Sequence, residues 1–368
     1  MKILHISGAR SWGGNEQQLV DLIPELEKLD IENTIFGVAD APLHNYIKTT
    51  SIAFIPCKDH KLNKRSNYRY LKEVVKEYAP DVIHLHTSDS VTIFTISDLL
   101  HRLRTPAVFS KKGMGNSMSR LSIFKYNYKN IKAIICVSEA VKTSMEQLVM
   151  KPKNVHKLMV VYDGINTNRL TPKRFEKLTE LFNVPQGTPL IGNIANHVNA
   201  KDLPVLLRAI HHMVHELHYT SFHLVQIGEG SRSTPELEQL TAELGISSYI
   251  TWAGFQKNAT DFLPQFTVYV MSSQREGLPL TIYEAFYKKV PVVSTRAGGI
   301  PEVIADGDNG FLVAIKDHEH LATKLRDLLE HKELQAQFAE RSYQKFLAHF
   351  EAAKTAATTL KIYEGVLS

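Results

Sequence analysis

Short apolar runs alternate with amphipathic stretches along most of the chain. The apolar runs are typical of buried strands, and stretches between them, such as Glu16–Leu29 and Tyr68–Tyr78, have the spacing of amphipathic helices. This alternation predicts parallel βαβ units. The strands predicted in the first half of the chain are Ile3–Ile6, Thr34–Val38, Ala53–Pro56, Val82–Leu85, Ala107–Ser110, Ala133–Val137 and Leu158–Val161.

The pattern restarts after a polar, proline-punctuated passage, residues 169–187, which we predict to be a linker. It would join two α/β domains, 1–168 and 188–349, each a doubly wound, Rossmann-like sheet with helices. A last helical pattern covers Ala352–Val366. The strands predicted in the second series are Leu190–Ala195, Phe222–Ile227, Ile250–Ala253, Val268–Met271 and Val292–Ser294.

The composition agrees with a two-domain globular protein: 43% of the 368 residues are hydrophobic and 22% are charged. Two cysteines, Cys57 and Cys136, favour neither a disulfide framework nor a metal site, which fits a reducing cytoplasm. His5 and Arg10 interrupt any secretory core near the N-terminus. No apolar run approaches the roughly 20 residues that span a bilayer.

The stretch from Arg275 to Phe286 carries the most specific chemistry, with carboxylates eight residues apart at Glu276 and Glu284. It predicts a strand end, a glycine loop and a helix. Unpaired N–H groups at a helix start can hold a diphosphate, and the carboxylates can accept hydrogen bonds from hydroxyls. Two alternatives remain open: the spacing arises by chance, or Thr281 and Glu284 form a capping box.

This stretch resembles the E-x7-E signature of retaining GT-B glycosyltransferases of family four, including the downstream Pro291-Val292-Val293 and Gly298-Gly299-Ile300-Pro301-Glu302. The resemblance implies a GT-B fold, in which two Rossmann-like domains face each other across a cleft. The first domain would hold the acceptor and the second the nucleotide sugar, with helix 350–368 packing back on the first.

The resemblance also assigns roles around the signature. Glu276 would bind sugar hydroxyls beside the reacting centre and act in catalysis, and Glu284 would bind the nucleotide ribose. The diphosphate would lie against Gly277, Leu278, Pro279, Leu280 and Thr281.

Two loops of the first domain match the family. Gly13 and Gly14 follow the first strand and would face the donor diphosphate and the acceptor, although a simple helix-start turn is an alternative. In His84-Leu85-His86, the second histidine sits at the open strand end, where it would approach the transferred sugar as a catalytic residue. His84 we interpret as a hydrogen-bonded core residue.

Three loops of the second domain also match. Lys201 would neutralise the leaving diphosphate as a catalytic cation. The chain departs from the family at Asn196, where many members place arginine, so the leaving group would have one cation fewer. Lys257 or Arg275 could supply the missing positive charge. Donor contacts are further predicted at Asn196, at Gly228 and in a loop of Gly254, Phe255 and Gln256, and this last loop would lie near the nucleobase.

No catalytic metal and no cofactor are predicted, apart from a UDP- or GDP-sugar as co-substrate. Asp306-Gly307-Asp308 has the spacing of a metal-binding D-x-D, but its surroundings are typical of a turn. The anomeric configuration would be retained, with a phosphate oxygen taking the acceptor proton.

A basic stretch with aromatic residues runs from Lys111 to Lys132 without an acidic residue. Arg120, Phe124, Lys125 and Lys129 are predicted to contact an anionic membrane or a lipid-linked acceptor. A solvated helix face and a nucleic-acid contact are the alternatives, and we expect no nucleic-acid partner.

The function predicted from these features is a retaining glycosyltransferase that moves a sugar from a nucleotide-sugar donor to a glycan or lipid-linked glycan. Cell-surface polysaccharide or lipopolysaccharide assembly is the expected setting, with the protein cytoplasmic or peripheral on the inner face of the cytoplasmic membrane. The alternatives are another GT-B enzyme, such as a nucleotide-sugar epimerase or a phosphorylase, and a non-catalytic sugar-binding protein.

Overall fold

Two parallel β-sheets organise the computed structural model, which describes residues 1–115, 119–174 and 176–368. The described chain forms two compact units: a first unit of Met1–Asn166 with Glu351–Ser368, and a second unit of Thr167–Phe350. The predicted linker, residues 169–187, falls inside the second unit, and its Phe175 lies outside the described residues.

The first sheet has seven strands in the order β3-β2-β1-β4-β5-β6-β7, all parallel. They are β1 (Lys2–Ser7), β2 (Glu32–Gly37), β3 (Ala53–Pro56), β4 (Val82–Leu85), β5 (Ala107–Lys111), β6 (Ile131–Cys136) and β7 (Leu158–Val160). The helices of this unit are α1 (Gly14–Glu27), α2 (Pro42–Ile47), α3 (Arg65–Tyr78), α4 (Ser88–His101), α5 (Arg120–Tyr126), α6 (Glu139–Leu148) and the last helix, α14 (Ala352–Leu367).

The second sheet has six parallel strands in the order β10-β9-β8-β11-β12-β13. They are β8 (Leu190–Ile194), β9 (His223–Ile227), β10 (Ile250–Trp252), β11 (Val268–Met271), β12 (Val292–Thr295) and β13 (Phe311–Val313). The helices are α7 (Leu178–Leu181), α8 (Leu203–His211), α9 (Thr234–Glu243), α10 (Leu280–Tyr287), α11 (Ile300–Val303), α12 (His318–Glu330) and α13 (Lys332–His349). Short 3-10 helices cover Pro152–Lys157, Thr167–Leu170, Asn199–Lys201, Ser247–Tyr249 and Ala259–Gln265, and a π-helix covers His212–Glu216.

The strands are continuous apolar runs because helices cover both faces of each sheet. In the second unit, for example, Ile191, Val270 and Val293 are fully buried in one cluster with Leu206 and Leu325 from two helices. In the first unit α14 supplies Ala356, Ile362 and Tyr363 to the core. The prediction of an α/β fold with two doubly wound sheets is confirmed.

Each sheet has one point where the strand order reverses, and ligands of doubly wound sheets bind at the carboxyl ends of the strands at that point. In the first sheet it lies between β1 and β4, which are followed by the Gly13–Gly14 loop and by His86. In the second it lies between β8 and β11, which lead to Lys201 and Glu276. The residues predicted to be catalytic therefore lie at the two reversal points.

Candidate functional site

His86 lies at the carboxyl end of β4 and is buried, with 3% of its surface exposed. Its backbone N–H donates to the carbonyl of Ile6 on β1 (3.0 Å). Its Nε2 lies 3.0 Å from Nδ1 of His5, and Nε2 of His5 lies 2.9 Å from Oδ1 of Asn33. Burial lowers the pKa of His86 well below its usual value, and the nearby His84, His5 and Lys112 lower it further. The imidazole is therefore neutral at physiological pH.

His84 makes a separate pair of hydrogen bonds. Its Nδ1 lies 2.5 Å from the hydroxyl of Tyr363 on α14, and its Nε2 lies 2.8 Å from Oγ of Ser110 on β5. Both ring nitrogens are engaged, and the residue is 1% exposed. The prediction that His84 is a hydrogen-bonded core residue is confirmed.

The Gly13–Gly14 loop opens α1, whose N-cap, Gly13, makes no side-chain cap hydrogen bond. Both glycines are exposed, whereas Glu16 in the first turn is buried. Burial raises the pKa of Glu16 to about 7, against the lowering effect of hydrogen bonds from the backbone of Glu16 and Gly13. A carboxyl group that titrates near neutrality thus lies directly behind the loop.

Lys201 and Glu276 form an ion pair in the second unit, with Nζ 2.7 Å from Oε1. The hydroxyl of Ser273 donates to the same oxygen at 2.7 Å. The side chains are 23% and 11% exposed, so the pair keeps limited contact with solvent. Two donors thus hold one oxygen of the Glu276 carboxylate.

Glu284 projects from α10 into an ion pair with Arg169, whose Nη2 lies 2.7 Å from Oε1. Its side chain is 5% exposed. The N-cap of α10 is Pro279, which has no side-chain cap hydrogen bond, and the Thr281 hydroxyl points to Sδ of Met271. The alternative of a capping box between Thr281 and Glu284 is therefore wrong.

The start of α10 presents backbone donors. Within the part of the chain that the structure describes, the N–H groups of Leu280 and Thr281 have no hydrogen-bond partner. The carbonyl of Gly277 accepts from the N–H of Gly299 at 2.9 Å, which ties the two glycine turns of the signature together. Such a helix start attracts an anion through its N–H groups and its dipole.

Comparison with known proteins identifies the chain. A model described as Glycosyltransferase Family 4 matches residues 12–169, and one described as Glycosyl transferases group 1 matches residues 188–331. The chain is 27% identical over 351 residues to the lipopolysaccharide core biosynthesis glycosyltransferase LpsE of Rhizobium meliloti (strain 1021), covering 95% of each chain. The chain belongs to glycosyltransferase family 4.

Other relatives agree with this assignment. An N-acetyl-alpha-D-glucosaminyl L-malate synthase of Bacillus anthracis is 23% identical over 304 residues, which is 81% of this chain and 78% of that protein. The crystal structure of Anabaena Alr3699/HepE in complex with UDP and glucose superposes with a TM-score of 0.85 at 19% identity, covering 99% of this chain and 100% of that one. This likeness shows that the two sheets of this family 4 glycosyltransferase form a GT-B fold.

Asn196, which we predicted to stand where many family members place arginine, has a structural partner. Oδ1 of Asn196 accepts a hydrogen bond from the N–H of Glu229 (3.0 Å), so it holds the loop that begins at Gly228. A Cβ at Gly228 would lie 1.9 Å from the carbonyl oxygen of Ala195, which requires glycine there. The backbone of Arg275 lies beside the Lys201 loop, because the backbone N–H of Arg275 donates to the carbonyl of Ala200 (3.4 Å).

The loop predicted near the nucleobase is only partly available for ligand contact. Phe255 is 72% exposed, and Gly254 has a positive φ of 62° that favours glycine. Gln256, in contrast, accepts from Arg174 (2.8 Å) and donates to the carbonyl of Ala253 (2.7 Å). Its amide holds the loop in place.

Asp306-Gly307-Asp308 is a turn, as predicted. Gly307 has a φ of 75°, and the Asp306 carboxylate accepts from the N–H of Leu312 (2.9 Å) and pairs with Arg296 (2.7 Å). Asp308 pairs with Arg341. Both carboxylates of the D-x-D spacing are therefore engaged by arginine.

One residue of the basic, aromatic stretch, Lys125, does not lie where its predicted contact requires. Lys125 is 7% exposed, and its Nζ donates to the carbonyl (3.0 Å) and hydroxyl (2.6 Å) of Ser88 and to the hydroxyl of Thr92 (3.2 Å). It cannot also contact a membrane, because its amine faces α4. Arg120, Phe124 and Lys129 are exposed, as is Leu121. We call these four residues the α5 surface.

Residues 116–118 of this stretch lie outside the described residues. In the described part of the glycosyltransferase, no helix has the length and hydropathy needed to cross a membrane.

Several functional neighbours were missed by reasoning from the sequence. Arg169 lies in a passage without periodicity, so nothing there pointed to Glu284. Ser273 had no distinguishing pattern. His5 did have one, since a histidine inside an apolar strand predicts a buried polar group that needs a partner.

Proposed function

We propose that this family 4 enzyme transfers a sugar from a nucleoside diphosphate sugar, first of all a UDP-sugar, with retention of the anomeric configuration. The observation that carries the proposal is the pair of cation–carboxylate contacts at the reversal point of the second sheet. Lys201–Glu276 precedes the uncapped start of α10, and Arg169–Glu284 lies along that helix.

The second unit supplies the groups that a nucleotide sugar requires. The N–H groups of Leu280 and Thr281 would bind the diphosphate, and Lys201 would neutralise the charge that develops on it as the sugar departs. Glu276 would accept hydrogen bonds from sugar hydroxyls, and Glu284 from the ribose. The solved structure of Alr3699/HepE with UDP and glucose supports UDP as the donor nucleotide.

The reaction forms a bond between an acceptor oxygen and the anomeric carbon while the bond from that carbon to the phosphate oxygen breaks. The acceptor proton passes to the departing phosphate oxygen, so no side chain has to act as a base. The ammonium group of Lys201 and the backbone N–H groups at the start of α10 would stabilise the leaving diphosphate without a metal ion.

The acceptor would be a glycan or a lipid-linked glycan of a cell-surface polysaccharide or lipopolysaccharide. The name of the LpsE relative supports this class. The α5 surface, with Arg120, Lys129, Leu121 and Phe124, combines positive charge with exposed apolar groups, as contacts with anionic membranes do. We therefore propose peripheral membrane contact through this surface.

Slow donor hydrolysis tests the proposal without knowledge of the acceptor. Purified protein is incubated with UDP-, GDP- and ADP-sugars, and release of the nucleoside diphosphate is measured alongside a thermal-shift series with the nucleotides. We expect one nucleotide to stabilise the protein and its sugar to be hydrolysed, with both effects reduced in Lys201→Met. Epimerisation of the sugar without nucleotide release would favour an epimerase instead.

A further inference from the structure

A chain of three buried side chains crosses the first sheet behind the proposed sugar contact. Asn33 on β2 bonds to His5 on β1, and His5 bonds to His86 at the end of β4. All three are at most 5% exposed. The orientation of the Asn33 amide determines which atom donates and which accepts in each of these hydrogen bonds.

Asn33 is that fixed end. Its Nδ2 lies 2.8 Å from the carbonyl oxygen of Ile31, which can only accept, so the amide nitrogen must face Ile31. Oδ1 therefore faces Nε2 of His5 and must accept from it. His5 consequently carries its proton on Nε2.

A neutral His5 protonated on Nε2 has a bare Nδ1, which can only accept. Burial lowers the pKa of His5 to about 4, although the hydrogen bond to Asn33 opposes the shift, so the ring is neutral at physiological pH. Nε2 of His86 must then donate to it across 3.0 Å. His86 is left with a bare Nδ1, for which the described residues provide no partner.

The same histidines could be read as a metal site, because ligand atoms of His5, His84 and His86 lie within 4.8 Å of one another. The hydrogen bonds argue against that reading. Both nitrogens of His84 are occupied by Tyr363 and Ser110, and a metal ion would have to displace the bond between His5 and His86. A relay of hydrogen bonds satisfies the cluster without an ion.

We propose that Asn33 and His5 are positioning residues that hold His86 in the Nε2–H tautomer, so that its Nδ1 accepts a hydrogen bond from a hydroxyl of the bound sugar. The identity of the hydroxyl rests on the proposed function; the tautomer does not. The opposite tautomer would present an N–H in place of an acceptor, and Nε2 of His86 would face Nδ1 of His5 with no proton between them.

Nuclear magnetic resonance of protein labelled with 15N-histidine tests the tautomer in the absence of substrate. We expect the His86 ring, assigned by its disappearance in His86→Asn, to be neutral with its proton on Nε2 at pH 7. A proton on Nδ1, or on both nitrogens, would overturn the proposal. This measurement needs no variant of Asn33 or His5, which are buried and whose variants can lose stability.

Donor hydrolysis then tests the consequence for catalysis. Asn33→Leu and His5→Phe should lower kcat about ten-fold or more, the effect of losing one hydrogen bond, while the affinity for UDP stays unchanged. Tyr363→Phe is the matched control, because it removes a hydrogen bond of the same buried cluster on the His84 side. Equal losses in all three variants would mean a structural role only and would overturn the positioning role.

Two substitutions of His86 separate its nitrogens. The side chain of His86→Asn can place an acceptor near the position of Nδ1, whereas His86→Gln places a donor near that of Nε2. We expect His86→Asn to retain more activity, and His5→Phe to add little to its loss. The reverse order would overturn the acceptor role.

Two further outcomes distinguish a failure of the proposed function from a failure of the relay. A wild-type protein that hydrolyses none of the nucleotide sugars would refute the proposed function, while the resonance measurement would still decide the tautomer. Stabilisation of the wild type by Zn²⁺ that is absent in His5→Phe would show a metal at Nδ1 of His5 and would overturn the relay.

Discussion

Nζ of Lys201 lies 2.7 Å from Oε1 of Glu276, so the cation assigned to the leaving diphosphate is paired with the carboxylate assigned to the sugar. Ser273 holds the same oxygen, and the pair lies between the strand ends β8 and β11. A nucleotide sugar that binds here has to share or replace this contact. Binding of the donor and rearrangement of the pair are therefore coupled.

Glu276→Gln should separate nucleotide affinity from turnover. The amide carries no charge, so Lys201 is released towards the diphosphate, and UDP should bind at least as tightly as in the wild type. Turnover should fall about ten-fold to a hundred-fold, because a hydrogen bond from sugar to carboxylate is worth roughly 1.5–3 kcal/mol. Calorimetry with UDP and steady-state hydrolysis of the UDP-sugar measure the two effects, and a parallel loss of both would contradict the assignment.

Glu284→Gln should weaken UDP binding, because a charge-assisted hydrogen bond to the ribose is lost. The structure adds a stability effect, since the substitution also leaves the largely buried Arg169 without its carboxylate partner. Arg169→Met is the matched control: it breaks the same ion pair but keeps the carboxylate.

The two roles of Glu284 are then separated by comparison. Equal loss of UDP affinity in both variants, in calorimetric titrations, would mean that the ion pair shapes the site and that Glu284 makes no ribose contact of its own.

Hydrolysis of the donor should survive an excess of EDTA. Asp306 and Asp308, which have the D-x-D spacing, are paired with Arg296 and Arg341, and the histidine cluster of the first unit is joined by its own hydrogen bonds. Rates are measured before and after chelation. Loss of activity that magnesium or manganese restores would refute the metal-free mechanism.

The α5 surface should govern binding to anionic vesicles. Each basic residue near such a surface contributes about 1 kcal/mol, so Arg120→Gln with Lys129→Gln should weaken binding about thirty-fold at low salt. Lys125→Met is the control: it should leave vesicle binding unchanged and lower the melting temperature, because three hydrogen bonds of a buried amine are lost. Wild-type protein that fails to float with anionic vesicles would favour a soluble acceptor and a solvated α5 surface.

Lowering the pH should reduce the free energy of unfolding through the buried His5. Its pKa is about 4 in the folded protein and 6.5 when unfolded, so the unfolded chain binds more protons between these values. The stability that His5 contributes is complete above pH 6.5 and falls by roughly 3 kcal/mol as the pH drops to 4. Glu16 acts in the opposite sense, since its pKa is raised from 4.5 to about 7 and its contribution is lost as the pH rises through that range.

The two contributions are separated by a variant. The difference in unfolding free energy between wild type and His5→Phe, measured by urea denaturation, should shrink as the pH is lowered from 6.5 to 4. His84 and His86, whose ring centres lie 5.5 Å and 5.2 Å from that of His5, remain in both proteins. Parallel pH curves would show that the ring is not held neutral by burial.

Most strands could be predicted because the sheets are buried on both faces and read as plain apolar runs. Val82–Leu85 and Val268–Met271 have the predicted bounds. The signature loops could be predicted for a related reason. Glycine, proline and carboxylates at a strand end form a pattern in consecutive residues, which can be recognised without knowledge of the tertiary structure.

The contacts of the site could not be predicted in the same way. Arg169 and Glu284 are 115 residues apart, and no periodicity links them. Lys125 shows the complementary difficulty, because a count of charges on a short helix does not tell which of them faces the neighbouring helix. Only packing against Ser88 and Thr92 distinguishes it from Lys129.

The last helix, α14, completes the core of the first unit although nearly the whole chain separates it from β1. Tyr363 reaches the polar cluster at His84 from this helix. During synthesis the first unit therefore cannot complete its core, and part of that core stays exposed, until the second unit and α14 have been translated. A chain that stops before Ala352 would leave both a buried histidine without its hydroxyl partner and an apolar surface exposed, so its fate would be decided by chaperones and proteases and not by the state of its catalytic groups.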